Sequence, residues 1–265
     1  DFEGQIRAGN SGYAVQTNGA GSDPDIGADE FDGKLPNVIV SNANALSNGS
    51  YSKVSGAFAA INSYDQTGKD VVVTLIGSTT EDVTATLNQG AWTSLKMYPT
   101  KTGLYVSGAI AAAPLISLNG ADNVTLDGRV NQTGSTKSLS IVNTSTSNSA
   151  GTATIRLSNS AESNTLKYLN INGSSSSATN GLIEFATSTT GNGNDNTVIE
   201  YNAISNSAGN RPINAIYSLG TAGKENSSNI IRYNTIFDFV NNNSSSNGIN
   251  LGANSSDWSI SNNSF

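Results

Sequence analysis

The sequence predicts an all-β chain wound as a right-handed parallel β-helix, a solenoid with a short N-terminal capping helix, preceded by the end of another module. Three observations predict it. First, Ile183, Ile216 and Ile249 recur at intervals of 33 residues in matching segments at 181–185, 214–218 and 248–251. A second series follows them: segment 196–204 matches 229–236, with Ile199 and Ile231 32 residues apart, 166–171 as an earlier copy and 258–265 as a later one. Second, each segment alternates apolar with polar residues, the period of a strand with one buried face. Third, 36 Asn, 39 Ser, 25 Thr and 27 Gly crowd the stretches between these segments, as closely spaced turns require. One four-residue strand cannot bury its face alone. Stacking successive coils closes a common core and pairs each strand with its copy in the next coil.

Along the chain, residues 1–34 read as the C-terminal closing segment of a preceding module. Asp23, Asp25, Asp29, Glu30 and Asp32 fall within ten residues there. That density invites calcium, a hard ion that takes oxygen ligands. Asp23, Asp25 and Asp29 are its candidate ligands, although the spacing is not that of an EF-hand loop. The bland alternative pairs Arg7 with one carboxylate and leaves the others solvated.

Residues 35–115 read as the N-terminal cap and first coils. Val54, Phe58 and Ile61 share one helical face, with Ser52 or Ser50 as the expected N-cap. An amphipathic helix here would cover the open end of the core and block edge pairing. Segments 70–76, 81–87, 94–98 and 104–106 read as strands.

Residues 116–265 read as regular coils, truncated at the C-terminal end; the chain is expected to be a piece of a longer protein. Stacking predicts ladders at Asn202 with Asn234 and at Thr197 with Asn229. It also places Lys167, Glu200 and Arg232 in one outward column of alternating sign, and Arg156 and Glu184 in another with Tyr217 and Asn250. Opposite charges on neighbouring strands contribute about 0.2–1 kcal/mol per pair, so a charge ladder on a solvated face is the expected role.

Composition excludes whole classes of chemistry. The sequence has no His and no Cys, which removes catalysis by either and any zinc or haem site built from them. It also removes a disulfide framework. The net charge is -7, and basic residues form no cluster, against nucleic acid as a partner. No apolar run approaches the roughly 18 residues that suggest a membrane-spanning helix, so membrane insertion is not expected. Abundant small polar residues without cysteine fit a bacterial exterior.

Asp1, Gly4 and Arg7, followed by the segment 25–30, resemble the motif that closes right-handed β-helix domains in large surface proteins of Bacteroidetes-type bacteria. Segments 119–131, 152–157 and 164–168 are similar to the solenoid modules of the same proteins, as are the helical segment 51–61 and Tyr98-Pro99-Thr100. The resemblance covers nearly the whole chain and is specific for architecture rather than activity. It implies export by the type IX secretion system across the outer membrane, with display on the cell surface or release from it.

The expected function is a non-enzymatic structural or adhesive segment that meets glycans or surface polymers through many weak contacts. Type IX export or attachment machinery is the other expected partner. Tyr217 or Trp258 could stack on sugars, with packing the preferred role for Trp258. The alternative is a polysaccharide lyase or glycoside hydrolase of the β-helix type. Hydrolysis would draw a carboxylate pair from Glu184, Asp195, Glu200 and Asp238. A lyase would need Lys167, Arg211 or Arg232 opposite carboxylates that hold calcium. Ice binding needs regular threonine ranks, and Thr152, Thr154 and Thr165 do not recur at the repeat spacing. No catalytic residue is assigned on this reading.

Overall fold

A computed structural model describes residues 36–265, apart from positions 208 and 243. The expectations for residues 1–34, including calcium at Asp23, Asp25 and Asp29, lie outside the described residues. The described chain is a parallel β-solenoid whose coils run through three sheets in turn. Sheet I holds Asp70–Leu75, Ser94–Pro99, Val124–Asp127, Thr165–Lys167, Val198–Glu200, Ile230–Arg232 and Ser259–Ser261 in parallel order. Sheet II runs from Thr79–Glu81 through Leu104–Gly108, Leu139–Asn143, Leu169–Gly173 and Ala203–Asn206 to Thr235–Ile236. Sheet III runs from Ala85–Asn88 through Pro114–Asn119, Ala153–Ser158, Ile183–Phe185 and Asn214–Ser218 to Asn247–Leu251.

Stacking puts apolar residues above one another. In sheet I, Val73, Met97, Leu126, Leu166, Ile199, Ile231 and Ile260 are successive register partners. In sheet III, Ala85, Ile116, Ile155, Ile183, Ile216 and Ile249 form the equivalent rank. In sheet II, the rank is Val106, Ile141, Ile171, Ile204 and Ile236. These side chains are buried, save for Ile249 and Ile260 in the last coil. The burial follows from the period-2 alternation of each strand.

The corners of the coil repeat as faithfully as its strands. Asn123, Ser163, Asn196, Ser228 and Asp257 enter sheet I with φ of 55–56°. Tyr168, Tyr201, Tyr233 and Asn262 leave it with φ of 53–56°. A left-handed residue turns the chain sharply, at a cost of roughly 1–2 kcal/mol when it is not glycine. Such strain persists where the surroundings over-determine it. Here each bent backbone is fixed by neighbouring coils: the Tyr168 N–H donates to the Glu200 carbonyl and the Tyr201 N–H to the Arg232 carbonyl.

The expected asparagine ladder forms inside the corner between sheets I and II. Asn202 Nδ2 donates to Asn234 Oδ1 at 3.0 Å, and Asn234 Nδ2 donates to Asn263 Oδ1 at 3.0 Å. Each Oδ1 also accepts a backbone N–H from the preceding coil: Leu169 to Asn202, Asn202 to Asn234 and Asn234 to Asn263. At the entry corner of sheet I, the Thr197 N–H donates to Asn229 Oδ1 at 2.8 Å, but the buried Thr197 hydroxyl has no partner. A further ladder joins Asn194 to Asn226 at 2.9 Å. One amide thereby satisfies groups on two coils, which a solenoid needs wherever its corners carry polar backbone inward.

The one α-helix among the described residues, α1 (Val54–Asn62), turns Val54, Ala57, Phe58 and Ile61 into the core. Asn62 exchanges hydrogen bonds with the backbone of Ala85–Asn88, the first strand of sheet III, so the helix blocks that edge. Its N-terminus departs from expectation. Neither Ser50 nor Ser52 caps it; Lys53 occupies the N-cap position and makes no side-chain cap hydrogen bond. Glu81, buried on the first strand of sheet II, accepts from the Val54 and Ser55 N–H groups, both at 3.0 Å. A carboxylate at a helix N-terminus satisfies orphan donors and meets the positive end of the dipole. Being 26 and 27 residues away, it is invisible to a local capping rule.

The segment expected as one strand, 81–87, divides at a corner. Glu81 ends a strand of sheet II, Ala85 begins one of sheet III, and the intervening Val83 is exposed. Two strands not expected from the sequence, Val38–Ser41 and Gly49–Tyr51, pair antiparallel on the outer edge of Asp70–Leu75 and terminate sheet I. The first coil begins at Asp70, within the segment expected to hold the cap and first coils.

Substituting Asn234 with Ala would leave the Asn202 N–H and the Ile199 carbonyl without their side-chain partner. Unpaired buried groups cost about 1–3 kcal/mol each. Thermal or urea denaturation of Asn234→Ala should show a loss of about 2 kcal/mol or more; a loss below 0.5 kcal/mol would contradict the ladder's structural role.

Candidate functional site

Register puts Lys167, Glu200 and Arg232 in one outward column of sheet I, as their spacing predicts. The column begins one coil earlier, with Asp127 as the partner of Lys167. It resolves into two ion pairs. Arg232 holds Glu200 at 2.8 Å, and Lys167 lies 3.7 Å from Asp127. Asp127 is fully buried and takes a second cation: Arg129 Nε donates to Oδ1 at 2.9 Å and Nη2 to Oδ2 at 2.7 Å. This fork geometry is the strongest carboxylate contact a side chain offers. Glu200 holds the Arg232 guanidinium above its usual pKa.

Beside this column stands a rank of aromatics. Tyr168, Tyr201 and Tyr233 occupy the left-handed corner after each strand of sheet I. Their rings stack with centroids 4.9 and 5.0 Å apart and planes 8° and 6° from parallel. The Arg129 guanidinium covers the far side of Tyr168 at 4.5 Å. Ring spacing equals coil spacing because both follow from strand pairing. The faces inside the stack are occupied by neighbours, so its exposed sides offer ring edges. The signal was present in the sequence as Lys167-Tyr168, Glu200-Tyr201 and Arg232-Tyr233, a charge followed by Tyr at the repeat spacing.

The second column also forms. Ser117, Arg156, Glu184, Tyr217 and Asn250 are successive partners in sheet III. Here the expectation of a solvated face fails. Glu184 is 7% exposed and Tyr217 8%. The loop at 174–182, rich in small polar residues, reaches the Glu184 carboxylate. From it Asn180 Nδ2 donates to Glu184 Oε2 at 3.1 Å, while Arg156 Nε donates to the same oxygen at 2.9 Å. Burial pushes the Glu184 carboxyl above its ordinary value, against the opposing pull of Arg156 and Asn180. Burial, then the Glu184 charge, raises the Tyr217 hydroxyl. Tyr217 is therefore no exposed sugar platform. Trp258 packs edge-on to Phe185 at 4.8 Å and donates from Nε1 to the Asn226 carbonyl at 2.8 Å, the role preferred for it.

The four candidate carboxylates are distributed around the coil. Glu184 sits on sheet III and Glu200 on sheet I; Asp195 lies in the turn between these sheets and Asp238 in a loop leaving sheet II. Each is engaged: Glu184 by Arg156, Glu200 by Arg232, Asp195 by the Ser227 N–H at 2.7 Å, and Asp238 by Arg211 at 3.2 Å. The candidate bases are engaged by the same pairings, with Lys167 on Asp127. No two of the four carboxylates are register partners. Among the described residues, no group of acidic side chains is placed to hold a metal ion, and no helix is long and apolar enough to cross a membrane.

Comparison with known proteins gives no matching family model, no matching curated protein and no matching solved structure.

A carboxyl whose folded-state pKa is raised binds its proton more tightly in the folded chain. Its contribution to stability is full below the unfolded value, near 4.5, and is lost as pH rises through the folded value. Glu184→Gln keeps an acceptor for Arg156 and does not titrate. Urea denaturation across pH 4–8 should show this variant gaining on the parent chain as pH rises from about 4.5, then levelling off; a pH-independent difference would contradict the buried, raised carboxyl.

Proposed function

We propose that the chain is a non-enzymatic structural and adhesive segment of a large exported cell-surface protein, which binds glycans or surface polymers through repeated weak contacts. The observation that carries this reading is the pairing of the charged ranks. Arg232 with Glu200, Lys167 with Asp127, and Arg156 with Glu184 neutralise one another across successive coils, and Arg129 pairs with Asp127 within its own coil. Groups so paired act as cross-links between coils rather than as free acids and bases. The rest of the surface offers what a stacked repeat can offer many times over: hydroxyls, amides and the edges of the tyrosine rank. Contacts that recur coil after coil gain strength from multivalency without a deep site. Placement outside the cell and handling by type IX export or attachment machinery rest on the resemblance of the repeat segments to Bacteroidetes-type surface modules.

The competing reading is a polysaccharide lyase or glycoside hydrolase, in which a raised carboxyl such as Glu184 would serve as the acid. Glu184 is 7% exposed and already holds Arg156 and Asn180, which supports a structural role over that of an acid facing substrate.

The test is to pass the full chain over a panel of neutral and acidic polysaccharides while assaying for new reducing ends and unsaturated products. Retention without turnover is expected, unchanged in Glu184→Gln and Glu200→Gln. Turnover abolished by either substitution would overturn the adhesive reading in favour of the enzymatic one.

A further inference from the structure

The loops that carry the chain from sheet II to sheet III change character along the stack. In the first two coils they are short, residues 82–84 and 109–113. In the next four they lengthen to 144–152, 174–182, 207–213 and 237–246. The long loops are tied to one another across coils. Ser174 Oγ donates to the Ser207 carbonyl at 2.7 Å, the Ile213 N–H to the Ser175 carbonyl at 3.3 Å, and Asn241 Nδ2 to the Arg211 carbonyl at 3.0 Å. Between them lies a groove of about 390 Å³, lined by Thr146, Asn148, Ser174, Ser176, Arg211 and Asn241 among others, two residues from each of the four loops.

We propose that this groove binds a linear acidic polysaccharide laid along the stack, with Arg211 receiving a uronate carboxylate. The inference rests on the adhesive reading above and assigns it a site. The volume falls in the range of ligand sites, but the lining departs from the usual apolar kind. Its side chains are hydroxyls and amides, and these serve a partner that is itself dense in hydroxyls. The groove crosses four coils stacked about 4.8 Å apart, a rise comparable to the length of one hexose unit, so successive sugars meet successive loops.

Charge narrows the ligand further. Arg211 is the charged residue of the lining, half-exposed; its ion-pair partner Asp238, also half-exposed, stands outside the lining. Its guanidinium has five N–H donors in a fork suited to a carboxylate. The contacts it makes are long: Nη2 to Asp238 Oδ1 at 3.2 Å and Nη1 to the Val240 carbonyl at 3.4 Å. They aim the fork while leaving donors for a ligand. One cation among neutral polar groups fits a polymer whose carboxylates are spaced along a hydroxylated chain.

Affinity electrophoresis of the full chain through gels containing polygalacturonate, or the same polymer methyl-esterified, tests the proposal. The parent chain should be retarded by the acid and far less by the ester. Arg211→Gln and Ser176→Trp, which fills the groove, should each weaken binding of the acid about tenfold or more. Lys224→Gln removes a surface cation outside the groove lining and should change nothing. Melting temperatures near the parent's would show the variants folded. Retardation unaffected by Arg211→Gln and Ser176→Trp would overturn the groove while leaving adhesion through another face intact. Equal retardation by acid and ester would overturn the acidic ligand. A parent chain retarded by neither polymer would overturn the acidic-galacturonan site, and only a chain retained by no polysaccharide of the panel would remove the adhesive reading beneath it.

Discussion

Within each sheet, a backbone group can bond only to the strand above and the strand below. Everything else in this chain follows from that restriction. A one-residue slip in any coil would turn its apolar residues outward and bring polar ones into a narrow core. Register is therefore held at several independent points. Apolar ranks fill the interior of all three sheets. Asparagine amides span coils at the corners, each accepting a backbone N–H from the preceding coil and donating to a carbonyl of that coil. Corner residues in the left-handed conformation recur at the same places in coil after coil.

The same restriction decides what the outer surface does with its chemistry. Identical positions on successive coils lie one strand spacing apart, so a charge at one coil is placed against its counterpart at the next. Like charges would repel there; the chain instead alternates Asp127, Lys167, Glu200 and Arg232. Tyrosines placed one per coil have no choice but to stack. Both arrangements use reactive or recognisable groups to hold coils together. The exception is the series of long loops beyond sheet II, which is not bound into strand pairs and encloses a groove among its members. That is why the proposed recognition is assigned to the groove at Arg211 rather than to the ordered faces of the sheets.

The regular part of this architecture was legible in the sequence because its coils are nearly equal in length. Partners 32 or 33 residues apart repeat three times over, and the pairings of Ile183, Ile216 and Ile249 and of Leu166, Ile199 and Ile231 follow directly. Upstream, the interval jumps to 40 residues between Asn123 and Ser163, where the insertion near 129–137 carries a short 3-10 turn. Farther back it falls to 24 between Asp70 and Ser94. With the interval unsteady, Asp127 could not be aligned with Lys167, and the first coils, though expected within 35–115, could not be placed in register with the later ones. The cap of α1 by Glu81 and the cover over Glu184 escaped for a related reason. Both depend on residues brought close by stacking, with no pattern within a few positions to reveal them. The tyrosine rank was visible as a repeated charge-Tyr pair; what was lacking was knowledge that these residues sit at a corner.

The central claim is that coils lie in the stated register, and it can be measured directly because the chain has no cysteine. Register partners on adjacent coils lie about 4.8 Å apart, within the reach of a disulfide, whereas residues two coils apart lie beyond it. Three double-cysteine variants at the outward positions 167 and 200, 200 and 232, and 167 and 232 should be oxidised and scored for intramolecular disulfides. The first two pairs should close and the third should not. Closure of the third as readily as the others, or failure of both adjacent pairs, would contradict the stack on which shape and recognition alike depend.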